Sequence, residues 1–479
     1  MANKVAPVDS SPGGLLILSY AYPPAVWVGG RRIEAFCRYL PPLGWTPLVV
    51  TASSGPGRKR GLDVWHGTAV YRSGDLNPLA QWRGLRSRMG TSPPPADRPG
   101  HVSPAEVSNG RLRAVKRAIL AGLTTPDDHM GWIPFAVSAG LRVARQYPVD
   151  AILVSSPPHS AQIAGLILAK ALRKPLVADF RDLWTMNEYA SDLWPGTRAA
   201  RLNACLERMV VREADGIIAN THTAEVMLRQ AYPWAASKMT TIPNGFDPVE
   251  LEGILPRTFP KFTLTHAGSF YRDRNPRCFL EGLARWLDRS GVEDLRSKVN
   301  VLFIGRHDPS VSHLAHTIGL EGIVELAPSV PPSELYPILA GSDVLLAILG
   351  FRTTSRSVMP AKLYDYLAVG RPILALVPEG EVTSLLASHP LHRIVTCDDP
   401  SAVATALESL YAQRDLVRPG SGKAGLGVHA WPQFWRPHLA RSLHEVLAGI
   451  IGSPGPVSPR LENRPPTTAR EMGATYQRN

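Results

Sequence analysis

Short apolar runs that open into polar loops recur along the chain, with helical segments between them. Gly14 to Tyr20 (GLLILSY) reads as a buried strand and PPAVWVGGRR as the loop after it, followed by a helix through Leu40. LGWTPLVVTA supplies a second strand, and VDAILVSSPPHS, KPLVADFRDLW and EADGIIANTHT each join an apolar strand to a polar loop. After the link IPNGFDPVELEGILPRTFP the series restarts with FTLTHAGSF, KVNVLFIGRHD, IVELAPSV, DVLLAIL and RPILALVP. This alternation predicts an α/β chain of two doubly wound, Rossmann-like domains, residues 1–255 and 256–430, with ligands at the carboxyl ends of the strands. Residues 52–62 and 89–110, rich in Gly, Ser and Pro, read as loops. The tail 452–479 is expected to be disordered.

The 479 residues suffice for two domains, and 44% hydrophobic with 19% charged content describes a soluble globular protein. Cys37, Cys205, Cys278 and Cys397 are scattered without a CxxC pair, which suggests neither a zinc site nor a disulfide framework and fits a reducing cytoplasm. The polar amino terminus lacks a signal-type core, and no apolar run is long enough to span a bilayer. A cytoplasmic protein is expected. Lys and Arg outnumber Asp and Glu by 52 to 40, giving a formal charge of +12, so anionic partners are favoured: nucleotide phosphates or anionic lipid headgroups. No nucleic-acid-binding motif is present, and nucleic acid is not expected. RLRAVKRAILAGL places Leu112, Val115, Ile119 and Leu123 near one face and Arg113, Lys116 and Arg117 on another. It reads either as an interfacial helix at the inner face of the cell membrane or as a packed helix with a solvated basic face.

The densest chemistry lies in MPAKLYDYLAVGRPILAL, Met359 to Leu376. Val344 to Leu349 reads as a buried strand, Arg352 to Ser357 as the loop leaving it, and a helix starts near Pro360. First-turn amides without intrahelical partners, at the positive end of the helix dipole, can hold a diphosphate, and Lys362 adds a full charge there. Asp365, about one turn further on, can accept from both hydroxyls of a ribose. Gly370-Arg371-Pro372 ends the helix and Ile373 to Val377 resumes as a strand.

This stretch resembles the donor-site motif of retaining glycosyltransferases of family 4, in the bacterial polysaccharide and amino-sugar subgroup with a Lys-Leu-Tyr-Glu-Tyr-Leu type sequence. In the wider family a Glu, seven residues and a second Glu form the motif; here Ser357 and Asp365 stand at those positions. ADFRDLW, Ala178 to Trp184, after PDDHMGW, Pro126 to Trp132, is a second match. The resemblance implies the glycosyltransferase-B architecture, two such domains facing across a cleft, with the final helix, here Trp431 to Ile451, returning to the first domain.

It also implies roles. Met359, Pro360, Asp365, Gly268, Ser269 and Arg306 bind the donor, with the backbone of Leu326 to Val330 at the nucleobase, although Arg306 could equally form a structural salt bridge. Gly29 and Gly30 let backbone approach the donor's reacting end. Arg181, Asp182, Arg274 and Lys362 form the catalytic set. Arg181 stands where many members have a His and acts electrostatically or by pairing with Asp179 or Asp182; Asp182 binds a hydroxyl; Arg274, with Arg272 as competitor, neutralises the departing diphosphate. Arg31 and His159 are assigned to the acceptor side, although Arg31 or Arg32 could face phosphate instead, and His159 could equally cap a helix or lie at the surface. Asp127-Asp128 and Asp398-Asp399 read as caps or turns. The implied reaction moves a sugar with retention from a nucleotide sugar, UDP-sugars foremost, to a glycan, lipid-linked or small-molecule acceptor, with no metal and no cofactor. A sugar-nucleotide 2-epimerase or a silent nucleotide-sugar-binding scaffold are the competing readings.

Overall fold

Two parallel sheets, each closed on both faces by helices and loops, form the framework of the protein. A computed structural model describes residues 13–24, 28–53, 60–76, 125–187, 198–270, 274–292, 294–351, 353–396, 398–417 and 427–452. The basic segment 111–123, the tail beyond 452, Arg272 and Cys397 fall outside the described residues.

The first sheet has eight strands: β1 Gly13–Ser19, β2 Trp45–Ala52, β3 Gly61–Trp65, β4 Thr68–Ser73, β5 Ala151–Ser156, β6 Leu176–Phe180, β7 Gly216–Ala219 and β8 Met239–Thr241. Their order is β3-β4-β2-β1-β5-β6-β7-β8, and every pairing is parallel except β3 with β4. β1 is buried along its whole length, as an apolar run with neighbours on both edges and helices on both faces must be. The β3–β4 hairpin corrects the sequence reading, which put residues 61 and 62 in a loop. Its two-residue turn is His66-Gly67, both at positive φ (45° and 80°), the geometry that suits the twist of paired strands.

The second sheet has six parallel strands: β9 Phe262–Ala267, β10 Val299–Ile304, β11 Val324–Ala327, β12 Val344–Ile348, β13 Ile373–Leu376 and β14 Arg393–Val395, in the order β11-β10-β9-β12-β13-β14. Chain order reverses beside β9, which creates the crevice where such sheets bind ligands.

The last helix, Arg436–Ile451, leaves the second sheet and packs on the first. Leu439, Ala440, Leu443 and Leu447 share a core with Leu15, Ile17, Phe36, Val177 and Ile218, and Trp45 Nε1 donates to His444 Nδ1 at 3.0 Å. It begins at Arg436, because Pro432–Phe434 forms a 3-10 turn instead. The halves are also tied near the cleft. Thr221 Oγ1 lies 2.9 Å from the Ser357 carbonyl, and Glu381 accepts from Thr223 N (3.1 Å) and Oγ1 (2.6 Å), capping the helix His222–Ala231 from the opposite half.

Candidate active site

The motif helix Ala361–Val369 starts at Pro360, which supplies no side-chain cap, and stops at Gly370 in the left-handed region. Leu363, Tyr364, Tyr366 and Leu367 are buried. The Tyr366 hydroxyl accepts from Ala267 N at 2.8 Å and donates to the Leu346 carbonyl at 3.2 Å, tying the end of β9 to the middle of β12. Tyr364 meets Phe434 edge-on at 5.1 Å. The motif's tyrosines are therefore architectural, whereas Lys362 and Asp365 line the cavity between the two halves.

Lys362 lies at the turn that follows β9. Gly268 (φ +133°) and Gly305 (φ +151°) stack there: a Cβ on Gly305 would stand 2.6 Å from the Gly268 carbonyl, and one on Gly268 would stand 3.3 Å from Lys362 Nζ. Only glycine gives both the dihedral and the room. Ser269 Oγ accepts from Arg306 N at 3.3 Å, and the Arg306 side chain is exposed. Burial, and then the charge of Arg274, pull the Lys362 ammonium down to about 7. Met359 is buried beneath the turn's neighbourhood, in the core of the motif helix.

His266, which the sequence reading passed over, completes this corner. Its Nδ1 is 2.8 Å from the Leu346 carbonyl and must donate to it, so Nε2 carries the lone pair that accepts from Lys362 Nζ at 2.9 Å. Burial and the neighbouring Lys362 charge hold the imidazole well below its usual value, hence neutral.

Asp365 accepts from the Tyr336 hydroxyl at 2.8 Å. Burial raises its carboxyl, against the opposing charge of Arg31. Arg31, assigned by the resemblance to the acceptor side, donates its guanidinium to Glu250 at 2.7 Å and faces Asp365 on the motif helix. Burial, which opposes its charge, is outweighed by Asp365 and Glu250, so Arg31 sits above its usual value. Arg436 also reaches Glu250, at 3.0 Å. The cavity among Arg31, Arg32, Lys362, Asp365 and Arg436 measures about 160 Å³, below the ~300 Å³ of ordinary small-molecule sites. A nucleotide sugar requires it to widen. A larger groove of about 570 Å³ lies on the outer helices by Val137, Arg142 and Ile167, and no motif residue lines it.

The corner of the first sheet is built differently. Arg32 is buried and forks onto Asp179 at 3.0 and 3.2 Å, with further bonds to the carbonyls of Ile242 and Pro243. Ser155 Oγ also donates to Asp179, at 2.7 Å. Arg32 thus lines the cavity while its guanidinium is held by Asp179, which pairs with Arg32 rather than with Arg181. The Arg181 guanidinium donates to the Pro157 carbonyl at 2.5 Å, and burial lowers it against the charges of Asp182 and Asp179. Asp182 itself is exposed.

Gly29 and Gly30 lie inside the helix Val28–Tyr39, not in the loop before it, and neither has positive φ. A Cβ on Gly29 would fall 1.8 Å from Arg181 Nη1, so this glycine makes room for the guanidinium; one on Gly30 would come 3.3 Å from the Ala21 carbonyl. His159 is neither a cap nor at the surface. It is 7% exposed, makes no side-chain cap, and stacks on Trp184 at 4.8 Å and 3°. Burial chiefly, then Arg181, lowers it to about 4 against the pull of Asp127.

Asp127 joins His159 to a second buried histidine, accepting from His129 N and Ser160 N at 2.9 Å each. His129 lies on the Tyr20 ring at 4.2 Å, and Tyr20 donates to Asp75 at 2.6 Å. The cap reading of the acidic pairs fits both, since Asp399 caps the helix Pro400–Ala412 through Ser401 N. Among the described residues, no group of three or more His, Cys, Asp or Glu is arranged to hold a metal, and no helix is long and apolar enough to cross a membrane.

Residues 96–250 match the family model of Glycosyltransferase Family 4. No curated protein matches the chain. Among solved structures, the sucrose-phosphate synthase of Thermosynechococcus elongatus is 14% identical with a TM-score of 0.62, over 91% of this chain and 98% of that one. Anabaena HepE, solved with UDP and glucose, is 13% identical with a TM-score of 0.58, over 91% and 100%. An α,α-trehalose-phosphate synthase (UDP-forming) from Burkholderia vietnamiensis is 10% identical with a TM-score of 0.60, over 92% and 100%. Identities this low carry the fold and not the role of any residue. The chain therefore has the two-domain fold of the glycosyltransferase-B enzymes and carries, over residues 96–250, a match to Glycosyltransferase Family 4.

Proposed function

We propose that the protein is a retaining, metal-independent glycosyltransferase that moves a sugar from a nucleoside diphosphate sugar, UDP-sugars foremost, to a hydroxyl-bearing glycan, lipid-linked or small-molecule acceptor. The observation that carries this reading is the corner at the carboxyl ends of β9 and β10. Two glycine turns there leave backbone bare beside Lys362 and Arg274, and Asp365 lies one turn along the same helix. A diphosphate needs cations and amides, and a ribose needs a carboxylate within a few ångströms of them. The UDP and UDP-glucose held by the Anabaena neighbour agree with this donor class.

In the reaction the bond from the sugar's anomeric carbon to the β-phosphate oxygen breaks. The acceptor oxygen bonds the same carbon from the same face, and its proton passes to the leaving phosphate. Charge grows on that phosphate, so Lys362, Arg274 and the helix amides contribute where it grows. Arg181 is too basic to take the proton and acts through its charge. Reaction in the cytoplasm, with the +12 chain resting against an anionic membrane where the acceptor is lipid-linked, belongs to the same reading.

Calorimetric titration with UDP, GDP, ADP and CMP tests it, beside the Asp365→Ala variant. Preferential binding of one nucleotide, lost in the variant, is expected. Binding of none, or equal binding by the variant, refutes the donor site. Acceptor-dependent release of nucleotide separates a transferase from an epimerase or a scaffold.

A further inference from the structure

Resting on the donor-site reading of Lys362, we infer that His266 is a positioning residue: its Nε2 lone pair holds the Lys362 amino group at the Gly268 turn, aimed at an arriving diphosphate. Three contacts fix the imidazole. Nδ1 is committed to the Leu346 carbonyl, one face stacks on Phe270 at 4.4 Å and 18°, and Phe303 meets it edge-on at 6.1 Å. The Leu346 carbonyl is itself held by Tyr366 of the motif helix. Nε2 is thus a rigid acceptor, and a lysine with a flexible four-carbon stem gains one defined position from it.

A neutral acceptor suits this task better than a carboxylate. A carboxylate would neutralise the ammonium and compete with phosphate for it; an imidazole orients the amine and leaves its charge for the ligand. The charged groups around Lys362 are Arg274 beside it, and Arg31, Arg32, Arg436 and Asp365 across the shared cavity, while His307 lies near His266. Burial and Arg274 bring Lys362 to about 7, so above that pH the free amine is largely neutral and must take up a proton when an anion arrives.

The test is calorimetry with UDP and with inorganic pyrophosphate, which probes the corner without a base, in two buffers of different ionisation enthalpy across pH 6.5 to 8.5, a range set about the Lys362 value. The wild-type protein is expected to take up a fraction of a proton on binding and to bind less tightly as pH rises above about 7. His266→Phe is expected to bind both probes about ten-fold more weakly, with the decline starting at lower pH, and His266→Gln, whose side-chain oxygen can reach the place of Nε2, to restore most of the affinity.

Lys362→Ala distinguishes the two readings. If it is impaired while His266→Phe matches the wild type in affinity and pH profile, the inference is overturned and the donor site stands. If Lys362→Ala binds normally, or the wild type binds neither probe, the donor site falls and the inference with it. Should His266→Phe fail to fold, His266→Gln decides: affinity near the wild type supports the inference, and affinity as weak as that of Lys362→Ala overturns it.

Discussion

The two corners that face each other across the cleft solve opposite problems. At the end of the second sheet, one helix and two glycine turns gather Gly268, Lys362 and Asp365, and the cation is already held by His266. At the end of the first, Tyr20, Asp75, Asp127, His129, His159 and Arg181 come from separate segments, and buried atoms among them (His129 Nδ1, His159 Nδ1, Ser160 Oγ and Asp75 Oδ1) have no partner. Each such atom costs on the order of 1 to 3 kcal/mol until something satisfies it. In the first arrangement the cation already has its acceptor, although the cavity beside it must still widen. The second is a buried polar cluster with several atoms left without a partner.

Breaking the Arg32–Asp179 pair is expected to have the largest effect. Asp179→Ala leaves a buried guanidinium uncompensated and should cost about 3 to 5 kcal/mol in denaturant unfolding, with much of it recovered by adding Arg32→Met. A loss under about 1 kcal/mol would show that the first corner is not held by this pair.

Acid should separate the corners next. The folded value of His159 is about 4 and its ordinary value 6.5. Stability from keeping it neutral is therefore complete above about pH 6.5 and lost as pH falls toward 4. The native protein should lose about 3 kcal/mol more across that window than His159→Phe, which keeps a ring on Trp184, and equal pH profiles would remove His159 from the account.

The glycines provide a finer contrast. Gly268→Ala forces a side chain into φ +133° beside Lys362 and should cost about 1 to 3 kcal/mol, weakening UDP binding as well. Gly29→Ala should displace Arg181 and suppress sugar transfer while UDP affinity stays within about two-fold, since Arg181 lies at the end of the first sheet, away from Lys362 and Asp365. If Gly29→Ala lowers UDP affinity as much as Gly268→Ala does, the division between the corners fails.

What the sequence disclosed follows the same division. The parallel strands, the motif helix with its Gly370 stop, and Lys362 with Asp365 on the open side were readable because each is a local pattern. The β3–β4 hairpin was hidden by a turn, His66-Gly67, that lacks the usual Asn-Gly signal. His266 looked like an ordinary member of an apolar strand, and its partner lies 96 residues away. The placement of Arg31 against Glu250, 219 residues distant, and the reason for Gly29 likewise depend on how the two halves meet. Spacing along a chain carries no record of that.

The helix Arg436–Ile451, which covers Leu15, Ile17 and Ile218, sets the order in which the chain can mature during translation. A ribosome that has synthesised the whole first sheet has still not made the element that shields one of its faces. The nascent amino-terminal half must wait, with that apolar surface open, until almost the entire second half has emerged. A nonsense codon between Val395 and Arg436 would release a chain permanently without its cover, a substrate for chaperones and proteases even though every strand of both sheets is intact.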